Sequence, residues 1–534
     1  MIAYIIVIYS ICGIYMILNF KHDLHMLQQN SYRLPRYWKY LNKNDIGSFW
    51  RIADVAMLFI LCSRLLELRI ALFLSALLAA YKIVTILTKK FKKPLVFTKR
   101  VWRIYITCGF ISTGLYLWAI FVLGFKEEAW GYYPGPVLTV AILLLITILS
   151  WVPMIISLIL LMPIEKLINK KYWKEAANIL KGMPDLRVIG ITGSYGKTST
   201  KHFLERILSE KYNVLMTPGS YNTTMGVIRT IREMMKPYYD IFICEMGAKQ
   251  TGDIKEICNL VHPEIGIITA VGHMHLETFK TIDNVQSTKF ELIDSLPHDG
   301  LAVVNDDFEY CRNRKVTNVK CYRFTIGPTD RSIDDYYATD ISFTPFGSSF
   351  TLKCNDGWEL DLHTKLLGKA NISNITSAVI VARYLKLSDD EIRNGVAAIT
   401  PVEHRLSIKQ TPGGITILDD AFNSNPEGSK MALEVLECFK TGKRFIVTPG
   451  MIELGSEQFN LNEKFGKTIA SSCDIAIVVG RYNREAIIQG IEKGNFKGKL
   501  YQVDDFNEAQ KILSSMLQPG DTVLYENDLP DSFK

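Results

Sequence analysis

The sequence has few of the features that mark metal-thiolate or disulfide-linked proteins. Its ten cysteines are scattered, and no two of them form a CxxC pair. That spacing argues against zinc ribbons and thioredoxin-like redox sites. Three of the cysteines, Cys12, Cys62 and Cys108, lie inside apolar segments. We therefore expect cysteines that pack as small apolar residues in a reducing compartment.

A strong excess of one charge is also missing. The chain has 61 Lys and Arg against 54 Asp and Glu, a net charge of +7 over 534 residues. Much of the basic excess lies beside apolar segments, so the composition does not favour a nucleic-acid partner.

Long apolar runs are almost absent after residue 163, but they dominate the part before it. Runs of this length predict a membrane region of about five helices over residues 1–162. The expected spans are 1–20, 46–63, 67–88, 101–124 and 135–162. Residues 1–20 lack a basic leading segment and a small-residue cleavage site, so we expect an uncleaved anchor.

The basic residues between the spans predict an orientation. Segments 21–44 and 89–103 are rich in Lys and Arg, whereas the segment FKEEAWGYYPG at 125–135 is acidic and aromatic. Because basic loops stay in the cytoplasm, everything after Pro163 is expected there. Residues 163–185 are amphipathic and form either a connector on the membrane surface or the first helix of the soluble part.

The stretch GITGSYGKTST, residues 190–200, predicts a phosphate-binding loop. A β-rich apolar run precedes it and a segment with helical periodicity follows, which is the strand, loop and helix context that such a loop needs. This context places Lys197 at the β and γ phosphates of a nucleotide and the hydroxyl of Thr198 at Mg²⁺. The common spacing G-x-x-x-x-G-K-[ST] requires glycine at 191, but that position is Ile191, and the loop has the shorter form that starts at Gly193.

This short loop resembles that of the Mur ligase superfamily, and further blocks resemble the same superfamily in the same order. They are TPGSYNTTMGV from Thr217, DIFICEMGAKQTGDI from Asp240, VGHMHLETFKTIDNVQSTKFEL from Val271 and DDAFNSNP from Asp419. Within the superfamily they are most similar to MurF-type ligases. The resemblance implies an α/β fold after the membrane helices. It consists of a P-loop ATP-binding domain with a mostly parallel sheet at 186–407 and a Rossmann-like C-terminal domain at 408–534.

The resemblance also implies the residues of the site. The ATP-binding set comprises Gly193, Ser194, Gly196, Lys197, Thr198, Ser199, Asn371, Asn374, Arg405 and Asp420. The metal set for Mg²⁺ comprises Thr198, Glu245, His275 and Lys289, the last as a carbamylated lysine. Lys197, His275, Lys289 and Arg405 are the implied catalytic residues, and Asn423 and Asn425 are expected to contact the incoming amine.

Some of these implications leave alternatives. Lys289 could be an ordinary surface lysine, because a sequence does not reveal a carbamate. His273 and His275 form an HxH pair, but no further zinc ligands lie at a useful spacing, so we interpret His273 as a loop residue. Ala370 stands where the family has histidine in the adenine-binding segment, so that nucleotide contact is expected to differ.

Two departures concern the substrate. Residues 1–180 do not resemble the domain that recognises the UDP end of the acceptor in MurF-type ligases, and the tail VLYENDLPDSFK lacks the KGSR-like ending. We expect a multi-pass protein of a bacterial cytoplasmic membrane. It would use ATP and Mg²⁺ to join an amine such as D-alanyl-D-alanine to a carboxylate of a cell-envelope precursor, UDP-linked or lipid-linked.

Two other functions stay open at this point. One is a ligase that builds a polymer of the poly-γ-glutamate type. The other is a transporter or signalling protein with a regulatory nucleotide domain, although the apolar spans show no obvious charged pairs of the kind that transport requires. The oligomeric state is left undecided.

Overall fold

The computed structural model describes residues 2–30, 32–42, 49–63, 66–88, 94–123, 135–274, 276–327, 335–344, 347–421 and 424–528. The chain forms two compact units, Met1–Lys170 and Lys171–Leu529. Each unit has its own hydrophobic core.

The first unit is helical. Its helices are α1 (Ile2–Gln29), α2 (Leu34–Tyr40), α3 (Phe49–Ser63), α4 (Leu68–Thr88), α5 (Lys99–Leu123), α6 (Gly135–Ile148) and α7 (Trp151–Lys181). Among the described residues, four helices are long and apolar enough to cross a bilayer, namely α1, α4, α5 and α7. At 15 and 14 residues, α3 and α6 reach only about 21–23 Å, short of the roughly 30 Å hydrocarbon core.

The single span expected at 135–162 was wrong, because the chain breaks at Leu149 and Ser150 between α6 and α7. Pro153 supplies the reason. It has no N–H for the carbonyl of Leu149, and its ring would clash with that carbonyl in a continuous helix. At the C-terminal end of α6, the carbonyl of Thr147 accepts a hydrogen bond from Arg51 Nη1 at 2.8 Å.

Residues 163–185 also differ from a separate connector. Helix α7 runs without a break through Pro163 to Lys181. In the second unit, Ala176 is fully buried, and Tyr172 and Trp173 pack on the same apolar cluster. The last turns of α7 therefore belong to the core of the second unit, which is the second of the two interpretations left open by the sequence.

Buried charge pairs lie inside the helical unit, contrary to expectation. Arg51 Nη2 on α3 donates to Asp23 Oδ1 on α1 at 3.0 Å. Lys82 Nζ on α4 lies 2.6 Å from Asp54 Oδ1 on α3. All four residues are at most 3% exposed. The expectation that the spans lack such pairs was wrong because the partners lie on different helices and meet only through tertiary packing.

The second unit contains two sheets. The first has the strands β1 (Arg187–Thr192), β2 (Val214–Met216), β3 (Ile241–Glu245), β4 (Ile265–Ile268), β5 (Leu301–Asn305), β6 (Lys320–Ile326), β7 (Tyr336–Thr344), β8 (Gly347–Cys354) and β9 (Glu359–Thr364). Their order is β2-β3-β1-β4-β5-β6-β7-β8-β9. Strands β1 to β7 pair in parallel, and β8 and β9 add an antiparallel edge.

Helices cover both faces of the first sheet. They are α8 (Lys197–Leu208), α9 (Thr224–Met234), α10 (Asp253–Val261), α11 (Leu276–Phe279), α12 (Ile282–Asp294), α13 (Glu309–Arg312), α14 (Lys369–Tyr384) and α15 (Asp389–Ala397). Strands buried on both faces explain the nearly continuous apolar runs in the sequence, such as IFICE in β3. Strand β1 lies between β3 and β4, so the loop after β1 opens where the winding direction of the sheet reverses, a usual place for a ligand.

The second sheet has six strands in the order β10-β11-β15-β12-β13-β14. They are β10 (Ser407–Gln410), β11 (Thr416–Asp420), β12 (Arg444–Thr448), β13 (Ile475–Val479), β14 (Lys499–Val503) and β15 (Thr522–Glu526). The helices are α16 (Pro426–Glu437), α17 (Gln458–Ser472), α18 (Arg484–Lys493) and α19 (Phe506–Met516). Only β10 is antiparallel, so the carboxyl ends of β11 and β15 meet at one edge.

Candidate active site

The phosphate loop joins β1 to α8, and two glycines shape it. Gly193 has φ +157° and Gly196 has φ +78°. A Cβ at Gly193 would come within 2.1 Å of Thr269 Oγ1, and one at Gly196 within 2.4 Å of Asn374 Oδ1. The loop therefore packs its backbone against two neighbouring elements and has no room for side chains at these positions.

Lys197 begins α8 and folds back over the loop. Its Nζ donates to the carbonyl of Gly193 at 2.8 Å and to that of Ser194 at 3.3 Å. Burial lowers the pKa of Lys197 to about 8, opposed by Glu245 and assisted by Arg405. The side chain is thus a poorly solvated cation at the helix N-terminus, where a phosphate anion would stabilise its charged form.

A hydroxyl and a carboxylate meet behind the loop. Thr198 Oγ1 lies 3.2 Å from Glu245 Oε1 and 3.1 Å from Oε2, and Asn222 Nδ2 donates to Oε1 at 3.0 Å. Although burial opposes ionisation, the charges of Lys201 and Lys197 hold the pKa of Glu245 below its ordinary value. Glu245 is therefore an ionised carboxylate in the site.

This pair fits Mg²⁺ in kind, because the ion prefers hard oxygen ligands and takes few of them from protein. Other described residues do not complete a coordination sphere around the ion. Within the described parts of the chain, no group of three or more His, Cys, Asp or Glu could hold a metal ion. His275, the other predicted ligand, lies outside the described residues. Oxygen ligands from phosphate would have to complete the coordination sphere.

Lys201 was not predicted, although it lies one turn after Lys197 on α8. It is 0% exposed, and its Nζ lies 3.0 Å from Glu245 Oε2 and donates to the carbonyl of Gly219 at 2.6 Å. The only sequence signal is a lysine on the inward face of a helix whose neighbours Leu204 and Leu208 are apolar.

Lys289 lies on α12 and is buried, which does not fit the alternative of an ordinary surface lysine. Burial lowers its pKa to about 7, and the charge of Lys197 lowers it further, while Asp253 and Glu291 oppose the shift. Near neutral pH a large share of this side chain is therefore the neutral amine.

The two asparagines of α14 serve different contacts. Asn374 Oδ1 accepts a hydrogen bond from Thr200 Oγ1 at 3.1 Å, beside the phosphate loop. Asn371 Nδ2 donates to the carbonyl of Leu367 at 2.8 Å, within its own segment. Asn374 thus supports the loop directly, whereas Asn371 holds the start of α14.

Arg405 reaches the loop from the segment before the second sheet. It is within electrostatic range of Lys197, Glu245 and Asp420, and burial lowers its pKa. Its neighbours His404 and Leu406 have φ values of +57° and +50°. Left-handed backbone at two non-glycine residues is costly, which is typical of a segment held in place for function.

The carboxyl ends of β11 and β15 bring two acids together. Asp420 and Glu526 are register partners, and Asp420 Oδ1 accepts from the backbone N–H of Leu406 at 3.0 Å. Burial raises the pKa of Asp420 to about 6, although Arg405 lowers it. Burial and the charge of Asp420 raise the pKa of Glu526 well above its ordinary value. Two adjacent carboxyls, of which Glu526 is fully buried and Asp420 half-buried, favour sharing one proton.

The predicted amine-binding segment follows β11. Asn423 lies outside the described residues. Asn425 is the N-cap of α16, and its Oδ1 accepts from the N–H of Gly428 at 2.8 Å. Ser424 Oγ donates to Glu526 Oε1 at 2.5 Å, so this segment contacts the acid pair. Glu526 was also missed by the sequence reasoning, because a charged residue at a strand end gives no signal of burial.

Comparison with known proteins gives matches over the second unit. Residues 191–382 match the Mur ligase middle domain, and residues 404–525 match the Mur ligase, glutamate ligase domain. UDP-N-acetylmuramoyl-tripeptide--D-alanyl-D-alanine ligase of Escherichia coli (strain K12) is 32% identical over 310 residues, covering 58% of this chain and 67% of the relative. The Bacillus subtilis (strain 168) enzyme of the same name is 27% identical over 342 residues, covering 64% and 72%.

A solved structure agrees with these matches. MurF ligase from Thermotoga maritima in complex with ADP has a TM-score of 0.60 and 25% identity. The similarity covers 67% of this chain and 80% of that one.

Proposed function

Because this chain belongs to the Mur ligase superfamily of ATP-dependent acid–amino-acid ligases, we propose that it is a membrane-embedded ligase of the MurF type. It would transfer the γ-phosphoryl group of ATP to a carboxylate, and an amine would then attack the acyl phosphate and release phosphate. The observation that carries this proposal is the meeting of Lys197, Glu245 and Arg405, the last from the edge of the second sheet.

The chemistry requires two anions, a polyphosphate and a carboxylate, to approach each other. Lys197 and Arg405, both half-buried, supply fixed positive charge of the kind that stabilises a transferring phosphoryl group. Thr198 and Glu245 would hold Mg²⁺, which when bound neutralises phosphate charge. Arg405 would complete the site only when its domain is closed, so closure would commit the bound nucleotide to reaction.

We also propose that Lys289 is carbamylated. A neutral amine is needed to attack CO₂, and the N–C bond forms with loss of one proton. The pKa of about 7 leaves much of Lys289 neutral at physiological pH. Lys197, whose charge acts on Lys289, would stabilise the resulting carbamate anion.

The amine is proposed to be D-alanyl-D-alanine or a similar amino acid or dipeptide, by analogy with the named relatives. Its place would be beside Ser424 and Asn425, at the carboxyl end of β11. The acid would be a cell-envelope precursor with a free peptide carboxylate.

The first unit supports the membrane part of the proposal. Large apolar side chains are exposed along its helices, such as Phe110 on α5 at 76% and Phe121 at 92%. Phe73 and Leu77 on α4 and Ile6 on α1 are exposed as well. Exposed apolar surface of this extent is a liability in water and is expected in lipid.

We further propose that the acceptor substrate is linked to a lipid. The family matches begin at residue 191, and four helices in the described part of the chain before it are long and apolar enough to cross a bilayer. An acceptor carried on a lipid would be presented to the second unit at the cytoplasmic face. The competing idea is that the helices only tether a ligase that uses a UDP-linked acceptor.

The buried ion pairs of the first unit favour a second candidate, a transporter or signalling protein with a regulatory nucleotide domain. Charged residues inside apolar bundles often mark transport pathways. Here, however, Arg51 is paired with Asp23 and Lys82 with Asp54, so each cation has its counter-ion. Such pairing is more typical of a structural role.

The ligase proposal is tested by phosphate release from the purified full chain in lipid nanodiscs. We expect release that requires ATP, an acid and an amine together, with the amide product identified by mass spectrometry. Release at the same rate without an amine would contradict the ligase and support the regulatory alternative.

A further inference from the structure

Lys201 is a fully buried cation in a place where an apolar residue would pack with less cost. Ionised side chains lose several kcal/mol of hydration in a protein interior unless they are paired. Lys201 is paired with the one carboxylate behind the phosphate loop, at 3.0 Å from Glu245 Oε2. Its other contact, the carbonyl of Gly219 at 2.6 Å, lies in the segment that carries Asn222.

Lys201 therefore neutralises the group that should attract a metal ion. Glu245 Oε1 already accepts from Asn222, and Oε2 already lies against Lys201. Thr198 Oγ1 lies within hydrogen-bond distance of both oxygens. A divalent cation at Thr198 and Glu245 would face the ammonium of Lys201, and Lys197 and Arg405 add positive charge nearby. The described residues offer no further cluster of His, Cys, Asp or Glu to compensate.

A bound polyphosphate changes this balance, since it brings both negative charge and oxygen ligands to the loop. We propose that Lys201 is a positioning residue that makes metal binding at Thr198 and Glu245 conditional on the nucleotide. The metal ion then enters with the phosphates and does not occupy the site before them. This inference rests on the proposed function, because it takes the loop to be an ATP site.

The second contact of Lys201 has a related effect. By holding the carbonyl of Gly219, Lys201 fixes the segment from which Asn222 reaches Glu245. The backbone N–H of Gly247, two residues after Glu245, also donates to the carbonyl of Asn222 at 2.7 Å. The carboxylate is thus held in one orientation before any ligand arrives, which is a form of preorganisation.

The test uses Mn²⁺ as the probe and the full chain in nanodiscs. Free Mn²⁺ is measured by electron paramagnetic resonance in titrations without nucleotide and with ADP. For the wild type we expect binding with ADP that is at least about tenfold tighter than binding without it. Lys201→Met should strengthen nucleotide-free Mn²⁺ binding by about tenfold, and Lys201→Arg, which keeps the charge, should leave it weak.

The controls distinguish failure of the inference on Lys201 from failure of the proposed function. Adding Glu245→Gln to Lys201→Met should abolish the gained Mn²⁺ binding, which assigns it to this site. Tight nucleotide-free binding by the wild type at this site would overturn the inference, and this result does not depend on whether Lys201→Met folds. Unchanged nucleotide-free affinity in a folded Lys201→Met variant would also overturn it. If the wild type binds neither ADP nor Mn²⁺ with ADP, the proposed function itself fails.

Discussion

The two units of this chain differ in where they place apolar surface and in whether their desolvated cations are all paired. The helical unit exposes large apolar side chains such as Phe121 and buries ion pairs such as Arg51 with Asp23. The second unit buries its apolar residues in the cores around its sheets. Among the described residues, its half-buried Lys197 and its buried Lys289 have no ion-pair partner, whereas the buried Lys201 is paired with Glu245.

Buried charges therefore have different roles in the two units. The buried pairs of the helical unit serve the fold, and removing one partner leaves the other uncompensated. A desolvated amine without an anionic partner is costly for the fold, so it indicates a functional use, such as binding an anion or carrying a carbamate. Mutations of buried charges should therefore change mainly the free energy of unfolding in the helical unit and mainly the rate of amide formation in the second unit.

The largest effect is expected from Lys197→Met. Without this cation the transferred phosphoryl group loses its main fixed charge, and the rate of amide formation should fall by about 10³-fold. The control is Lys211→Met, which removes an exposed lysine from the chain just after α8. Similar losses in both variants would mean that Lys197 has no special role.

The ion pairs of the helical unit give the next largest effect, on stability and not on chemistry. Lys82→Met leaves Asp54 buried without this cation, although Tyr15 still donates to it, and should cost about 3–5 kcal/mol in the free energy of unfolding. Adding Asp54→Asn should recover most of this loss. Unfolding in detergent micelles measures both, with Lys166→Met at an exposed position as the control. No recovery in the double variant would show that the two charges act independently.

Lys289→Met should change catalytic rate and stability in opposite directions within one variant. We expect amide formation to fall by about 10²-fold, while the folded state becomes more stable than the uncarbamylated wild type measured in CO₂-free buffer. The folded pKa of about 7 lies below the ordinary value for lysine, so the unfolded chain binds more protons between pH 7 and about 10.4. The penalty of keeping Lys289 is therefore largest below pH 7 and falls as the pH rises.

The stabilisation by Lys289→Met should accordingly be greater at pH 6 than at pH 9. Carbon-13 nuclear magnetic resonance with labelled CO₂ should give a carbamate signal in the wild type that the variant lacks. A variant with wild-type activity would rule out the carbamate as a required group.

The smallest effect is expected from Glu526→Gln. The pKa of Glu526 is raised in the folded state, so its protonated carboxyl contributes stability in full at a pH below the unfolded pKa of about 4.3. This contribution is lost as the pH rises through the folded pKa. The variant should therefore gain at least about 1 kcal/mol of stability relative to wild type at pH 8 and less at pH 4.5. Glu485→Gln, at an exposed position of the same unit, should show no such difference.

The sequence predicted the parts of the fold that depend on local pattern. The run LRVIGITG, the short glycine loop and the helix after it form β1, the phosphate loop and α8, and the Mur ligase fold with mostly parallel sheets is confirmed. The apolar runs predicted helices in the first unit, but a continuous apolar pattern hid the break at Leu149 and Ser150, where Pro153 was the only signal.

The site was predicted less completely, because pairing and burial depend on tertiary structure. Nothing local in the sequence pairs Asp23 with Arg51, buries Lys201 against Glu245, or places Glu526 beside Asp420. Motif reasoning assigned roles to residues inside the motifs and could not find these partners. His275 and Asn423 stay predictions.

The most direct test of the central claim is a competition between acceptors. The full chain in nanodiscs would receive ATP, D-alanyl-D-alanine and equal amounts of a UDP-linked and a polyprenol-linked muramoyl tripeptide, and mass spectrometry would quantify both products. We expect the polyprenol-linked product to dominate and its formation to slow by about 10³-fold in the Lys197→Met variant. Dominant turnover of the UDP-linked acceptor would contradict the claim that the helices present a lipid-linked substrate.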